Sequence, residues 1–311
     1  DGKELIAYVP RGVVGGLKDL TDKDYQHRYY VDGSPMTGDI KDGSTWKTLL
    51  VGTIGAGGKG YFLLNVTDPE GFGTASASTL VVLDRTRGNS ETAPNCSGLT
   101  GAAKAACDTA VEENKDIGNI TAQPGRNPAN KQEATQITRL NNGRWAVVMG
   151  NGYNSTNQRP VLLVQYLDGD KKLVRIQATS DVTGQTYENR SNNANDNGLA
   201  SPALVDLDGD GKTDVVYAGD NLGNLWKFDL TSTDETQWKV AFGNTTPLFP
   251  ARGPAAPGQT NRNTVQPITA PPIVRPNDRT MTVGTGASAK TVPVGGMMVA
   301  FGTGRNLTVT D

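Results

Sequence analysis

Histidine and cysteine are scarce in this chain of 311 residues, which contains one histidine and two cysteines. A structural zinc site usually takes about four Cys or His ligands, so zinc bound through these residues is disfavoured. Cys96 and Cys107 lie in one short polar stretch, which favours a local disulfide over two free thiols. A disulfide in turn indicates an oxidising compartment.

A charge bias and long apolar runs are also missing. The 30 basic and 32 acidic residues are mixed along the chain and give a net charge of −2, so no basic face is built to bind nucleic acid. No apolar run approaches the roughly 18 residues of a membrane-spanning helix. Asp1 begins the chain without a signal segment, so we expect a soluble, processed or excised piece of a longer protein.

Helix signals are few. Only residues 100–115, which are rich in alanine, have apolar positions at helical spacing. We expect this helix to lie inside a polar insertion, residues 88–134, that the disulfide closes. Residues 250–278 are rich in Pro and Gly and are predicted to form a mobile loop. Residues 1–311 together are expected to form a single domain.

Glycine is plentiful, with 38 residues, and strand-like runs alternate with Gly, Asn and Asp turns. Three stretches share an apolar strand that ends in Gly, a polar turn and a second apolar strand that ends near Asp: residues 48–68, 145–170 and 214–230. Residues 297–307 repeat the first half, and residues 4–13 are expected to be a degenerate copy. Four glycines anchor the copies: Gly52, Gly150, Gly219 and Gly302. Their unequal spacing fits four-stranded blades with insertions, which favours a β-propeller.

The sequence DLDGDGKTD is the strongest candidate site. It offers side-chain carboxylates at loop positions 1, 3, 5 and 9 and a backbone carbonyl at position 7: Asp206, Asp208, Asp210, Asp214 and Lys212. Calcium takes about six to eight oxygen ligands, and Gly211 supplies the sharp turn that such a loop needs. An EF-hand would have Glu where Tyr217 stands, so strands flank this loop. We predict a Ca²⁺ site with the Lys212 side chain pointing outward, the alternative being an ordinary hairpin turn.

Six stretches, in the same order along the chain, resemble the C-terminal propeller domain of the PilY/PilC-type proteins, the tip adhesins and biogenesis factors of type IV pili. The stretches are HRYYVDGSP, LLVGTIGAGGKGYFLLNVTDP, WAVVMGNGYNS, LVDLDGDGKTDVVYAGDNLGNLWKFDL, QPITAPP and FGTGRNL. The resemblance implies an all-β fold, a modified quinoprotein-like β-propeller of seven blades. It also implies that Ca²⁺ is bound by the nine-residue loop through Asp206, Asp208, Asp210, the Lys212 carbonyl and Asp214.

For function, the same resemblance implies a calcium-binding module at the bacterial cell surface, at the pilus tip, the outer membrane or the periplasm. In that family calcium binding is linked to pilus extension against retraction, and the protein acts in pilus biogenesis, twitching motility, adhesion and virulence. The implied partners are minor pilins, the type IV pilus machinery and a host-cell surface receptor.

Two other functions compete with this one. AGDNLGNLWKFD resembles the docking motif of quinone-dependent dehydrogenases, through Ala218, Asp220, Gly223 and Trp226. The chain contains only one clear copy of that motif, and it lacks the pair of adjacent cysteines found in those enzymes. We therefore predict a protein without enzymatic activity. The third function is a generic binding propeller whose calcium is purely structural.

Overall fold

The computed structural model describes residues 3–127, 129–130, 133–179, 197–253 and 265–304. Strands dominate these residues, as the glycine-rich, turn-rich composition predicts. The described α-helices are two single turns, α1 (Arg11–Val14) and α2 (Ala77–Leu80), and one longer helix, α3 (Gly101–Asp116).

The first sheet has four antiparallel strands in chain order: β1 (Met36–Asp42), β2 (Thr45–Thr53), β3 (Tyr61–Asn65) and β4 (Val81–Asp84). Four successive residues of β3 are buried, so both faces of this strand are covered. A short glycine-rich turn joins β2 to β3, which agrees with the strand, turn and strand plan of residues 48–68.

The second sheet repeats the plan with β5 (Ile137–Leu140), β6 (Trp145–Gly150), β7 (Val161–Tyr166) and β8 (Leu173–Gln177). All six residues of β7 are buried, because neighbouring sheets cover both of its faces. Asp168 and Lys171 close a tight turn between β7 and β8.

The third sheet follows along the chain, and one short strand within this stretch pairs with the second sheet instead. Its strands are β9 (Ala203–Val205), β11 (Val215–Gly219), β12 (Asn224–Asp229), β13 (Lys239–Val240) and β14 (Phe249–Pro250), with β10 (Lys212–Thr213) between β9 and β11. β10 pairs in parallel with β5 of the second sheet. The chain therefore joins two sheets between β9 and β11.

The remaining described strands form two ribbons: β15 (Ile273–Pro276) pairs with β18 (Met297–Ala300), and β16 (Thr280–Val283) pairs with β17 (Lys290–Pro293). β18 is the strand expected in residues 297–307. β15 lies within 250–278, the stretch expected as a mobile loop, of which residues 254–264 lie outside the described residues.

The expectation of a degenerate strand copy in residues 4–13 is wrong. Residues 4–10 form no strand, and α1 begins at Arg11. Tyr8 instead packs its ring on Phe62 of β3 and donates its hydroxyl to Asp84 of β4, so the segment lies against the first sheet.

The sheets stack face to face. One core lies between the first and second sheets and contains Ile40, Leu49, Leu63, Val147 and Met149. Another lies between the second and third sheets and contains Val148, Val164, Val216, Trp226 and Phe228. Alternating residues of β6 enter opposite cores, as the two-residue period of a strand requires. This stack of four-stranded units is the architecture of propeller blades. The count of seven blades and the quinoprotein-like character stay predictions.

Short connecting segments cross between neighbouring sheets. Gly152 donates its backbone N–H to the carbonyl of Leu199 (3.0 Å), and Ala200 donates to the carbonyl of Gly219 (2.9 Å). The anchoring glycines explain the close approach, since a Cβ on Gly150 would lie 2.0 Å from the Ala200 oxygen. Around Gly302, by contrast, no atom of the described residues lies within 4 Å of such a Cβ.

The disulfide between Cys96 and Cys107 is confirmed, with Cα atoms 5.9 Å apart. The predicted helix at 100–115 is also confirmed, as α3. The carboxylate of Asp116, at the end of α3, is fully buried and pairs with Arg159 (2.9 Å), just before β7, and with Arg175 (2.6 Å) of β8. These ion pairs fasten the C-terminal end of α3 to the second sheet.

Candidate metal centre

Three aspartates gather in the loop between β9 and β10. One carboxylate oxygen from each of Asp206, Asp208 and Asp210 lies within 4.8 Å of the others. All three side chains are exposed. Among the described residues, this is the only group of three or more His, Cys, Asp or Glu side chains gathered so closely.

Backbone hydrogen bonds to Asp206 curl the loop. Its Oδ1 accepts from the N–H of Gly209 (2.7 Å) and its Oδ2 from the N–H of Gly211 (2.7 Å). Both glycines have positive φ angles, 81° and 80°, which residues with a Cβ rarely adopt. Desolvation by the surrounding loop raises the pKa of Asp206, but the N–H donors of Gly211 and Gly209 outweigh it and the net shift is downward. Asp206 therefore holds the turn and stays ionised.

Lys212 differs from the sequence expectation. Its side chain was expected to point outward, but its ammonium folds back and pairs with Oδ2 of Asp210. The backbone N–H of Lys212 also donates to Oδ1 of Asp210 (2.9 Å). The ammonium hydrogen bond is the main cause of the lowered pKa of Asp210. The reason is electrostatic, because Lys212 is a cation beside a group of carboxylates.

Asp214, the fourth predicted carboxylate, is buried and is not part of the group of three. Its Oδ2 accepts from the backbone N–H of Leu207 (2.7 Å), and its Oδ1 accepts from the side-chain amide of Asn141 (2.8 Å). A carboxylate has about four acceptor positions, so these two bonds leave capacity for a further partner. Asn141 carries no local sequence signal, since it stands in an ordinary Asn and Gly turn.

The donor set of the loop fits a hard divalent cation. Ionised carboxylates and backbone carbonyls are the ligands that Ca²⁺ prefers, and soft metals prefer thiolates. Asp206, Asp208 and Asp210 could hold such an ion through their carboxylates. Binding there would compete with the Lys212 ammonium for Asp210.

Asp220 is the centre of a separate, buried hydrogen-bond network at the β11–β12 turn of the third sheet. Its fully buried carboxylate accepts from the side chains of Asn197 (3.0 Å), Asn224 (2.9 Å) and Trp226 (2.9 Å). It also accepts from the backbone N–H groups of Leu222 and Asn224. Burial raises the pKa of Asp220, and these donors oppose the rise. Within the segment that resembles the docking motif, Asp220 and Trp226 therefore connect the β11–β12 turn to the core.

Comparison with known families decides the identity of this fold. The family model of the PilY1 beta-propeller domain matches residues 6–95 and 111–311. The chain belongs to this family. The unmatched residues between the two parts include both cysteines.

Relatives of this chain are much longer proteins. The type IV pilus biogenesis factor PilY1 homolog of Xylella fastidiosa is 32% identical over 314 residues, which cover 100% of this chain and 17% of that protein. The type IV pilus biogenesis factor PilY1 of Pseudomonas aeruginosa is 36% identical over 233 residues, which cover 74% of this chain and 16% of that protein. The chain thus spans less than a fifth of these relatives, and neither is named as an enzyme.

A solved structure resembles the PilY1 propeller described here. The crystal structure of the Pseudomonas aeruginosa PilY1 C-terminal domain matches with a TM-score of 0.60 and 29% identity. The match covers 98% of this chain and 49% of that one. None of the described helices has the length and apolar character needed to cross a bilayer.

Proposed function

We propose that this propeller is the calcium-binding module of a type IV pilus biogenesis factor, without enzymatic activity. The observation that carries the proposal is the loop in which Asp206, Asp208 and Asp210 bring carboxylate oxygens within 4.8 Å of one another. Several ionised carboxylates this close repel one another, and a bound divalent cation would relieve that repulsion. The ligand set proposed is these three carboxylates, the Lys212 carbonyl and Asp214.

Calcium occupancy is proposed to regulate the balance between pilus extension and retraction, and so pilus assembly, twitching motility and adhesion. The partners proposed are minor pilins, the pilus machinery and a host-cell surface receptor. The place of action is the pilus tip, the outer membrane or the periplasm. The disulfide of Cys96 and Cys107 supports such an oxidising location.

Asp208 offers the sharpest test in cells. Its carboxylate accepts one long hydrogen bond, from the N–H of Asp210 (3.2 Å), whereas Asp206 holds the turn itself. Replacing Asp208→Ala in the full-length protein should therefore remove a ligand and leave the loop folded. We expect altered surface piliation and reduced twitching at unchanged protein level.

The matched control is Asp234→Ala, which removes an exposed carboxylate from the same sheet region outside the loop. The control should behave as wild type. Normal piliation and twitching by the Asp208→Ala strain would contradict a regulatory role for the loop.

A further inference from the structure

A side chain from the second sheet reaches into the base of the aspartate loop. Asn141 lies in the turn between β5 and β6, and its amide Nδ2 donates to Oδ1 of Asp214 at 2.8 Å. The same amide group lies within hydrogen-bond distance of the backbone carbonyls of Leu230 (3.1 Å) and Thr213 (3.2 Å). Thr213 and Asp214 come directly before β11, and Leu230 comes directly after β12, so the amide contacts both ends of this strand pair of the third sheet. One amide therefore joins two sheets at the last predicted ligand of the loop.

The contact is part of a continuous seam between the sheets, in which residues 138–141 meet residues 212–214. Lys212 and Thr213 form β10, which pairs with Arg139 and Leu140 of β5. The hydroxyls of Thr138 and Thr213 lie 2.8 Å apart. The second half of the loop is thus held by the second sheet.

The first half of the loop is held by the third sheet. Val205 ends β9, and its carbonyl accepts from the backbone N–H of Asp214 (2.9 Å). Leu207 donates its own N–H to Oδ2 of Asp214. Asp214 consequently has one carboxylate oxygen bonded to the loop itself and the other to the β5–β6 turn of the second sheet, and any change in its orientation must alter one of these contacts.

We propose that Asn141 is a positioning residue for the cation loop, and that cation binding is coupled through it to the contact between the second and third sheets. The inference rests on the proposed calcium site. Groups that hydrogen-bond a metal ligand fix its orientation, and their loss typically weakens metal affinity about 10- to 100-fold. Coupling of this kind is reciprocal, so bound calcium must strengthen the seam by the same factor by which the seam strengthens calcium binding.

The test is a calcium titration by calorimetry of the wild-type chain and two neighbouring variants. Asn141→Ala removes the contact to Asp214. Asn142→Ala removes an amide from the same turn, one that contacts Tyr166 and Arg144 and forms no hydrogen bond with the loop among the described residues. We expect about tenfold weaker calcium binding for Asn141→Ala and a change of less than about twofold for Asn142→Ala.

Hydrogen exchange tests the coupling itself, because loss of a residue that only stabilises the fold would not change how far protection by calcium spreads. In the wild-type chain, calcium should slow amide exchange in the loop at 205–214 and also in β5. In Asn141→Ala, calcium should slow exchange in the loop alone. Thr138→Val removes the hydroxyl contact to Thr213 between the sheets, together with a local bond to the Arg139 carbonyl. It is a milder variant and should weaken calcium binding in the same direction.

Different results separate the two proposals. Calcium uptake by wild type with equal affinity in Asn141→Ala would overturn the positioning role and leave the calcium site standing. Equal weakening by Asn141→Ala and Asn142→Ala would also overturn it, because the effect would then belong to the turn. No calcium uptake by wild type would overturn the proposed function and the coupling together.

Discussion

Trp226 donates its indole N–H to Oδ2 of Asp220 at 2.9 Å, with both side chains fully buried. Asp220 directly follows β11 and Trp226 lies within β12, in the segment that resembles a quinoprotein docking motif. Their bond ties the turn to the core between the second and third sheets. The resemblance at this motif therefore reflects how the sheets are held together.

Replacing Asp220→Ala should strongly destabilise the protein. The change leaves buried N–H donors of Asn197, Asn224 and Trp226 without an acceptor, and each such group costs about 1–3 kcal/mol. We expect a loss of about 3 kcal/mol or more in the free energy of unfolding, measured by denaturant titration. Asp229→Ala, at the end of β12, removes a half-buried carboxylate that accepts from Thr231. It should cost less than about 1 kcal/mol, and equal losses would contradict the assignment.

Asp116 should make stability depend on pH. Burial raises the pKa of Asp116, but hydrogen bonds from Arg159 and Asn157 and the charges of Arg159 and Arg175 make the net shift downward from 3.8. A lowered pKa means that the unfolded chain takes up the proton first as pH falls. The stabilisation is therefore present above about pH 4 and is lost as pH falls through the folded-state pKa.

The variant Asp116→Asn tests this. It leaves two half-buried arginines without their anion, so we expect a loss of about 1.5–3 kcal/mol near pH 7. The gap in melting temperature from wild type should narrow below about pH 4. Glu112→Gln in the same helix breaks only an exposed pair with Lys115 and should change little at any pH. A gap for Asp116→Asn that stays constant from pH 7 to pH 3 would refute the prediction.

Gly150 should tolerate no side chain. A Cβ there would meet backbone oxygens of Ala200 at 2.0 Å and Leu199 at 2.3 Å, and moving that segment would disturb the bonds between the second and third sheets. Gly150→Ala should cost about 1–3 kcal/mol of unfolding free energy. Gly302→Ala, the corresponding change in the last copy, should be nearly neutral. The comparison fails if both substitutions have the same effect.

The sequence predicts the features that depend on local pattern. Strand pairs around Gly52, Gly150 and Gly219 follow from apolar runs and turn residues, and α3 follows from its alanine spacing. The aspartate triad follows in the same way, because alternate residues of a curled loop converge.

Features that depend on contacts between distant segments were not predictable. β10 pairs with β5 of the second sheet, although its neighbours in the chain, β9 and β11, belong to the third. A strand of two residues carries no sequence pattern that could predict this pairing. Asn141 contacts Asp214 across 73 positions of chain. The inward fold of Lys212 depends on where the curled loop places Asp210, and residues 4–10 lack a strand because they pack against the first sheet.

The central claim is that the aspartate loop binds calcium. The most direct test is a calorimetric titration of the metal-stripped wild-type chain with Ca²⁺, beside Asp208→Ala and the control Asp234→Ala. We predict one calcium ion bound by wild type and by Asp234→Ala, with binding at least about tenfold weaker in Asp208→Ala. No uptake by wild type, or equal uptake by all three proteins, would contradict it.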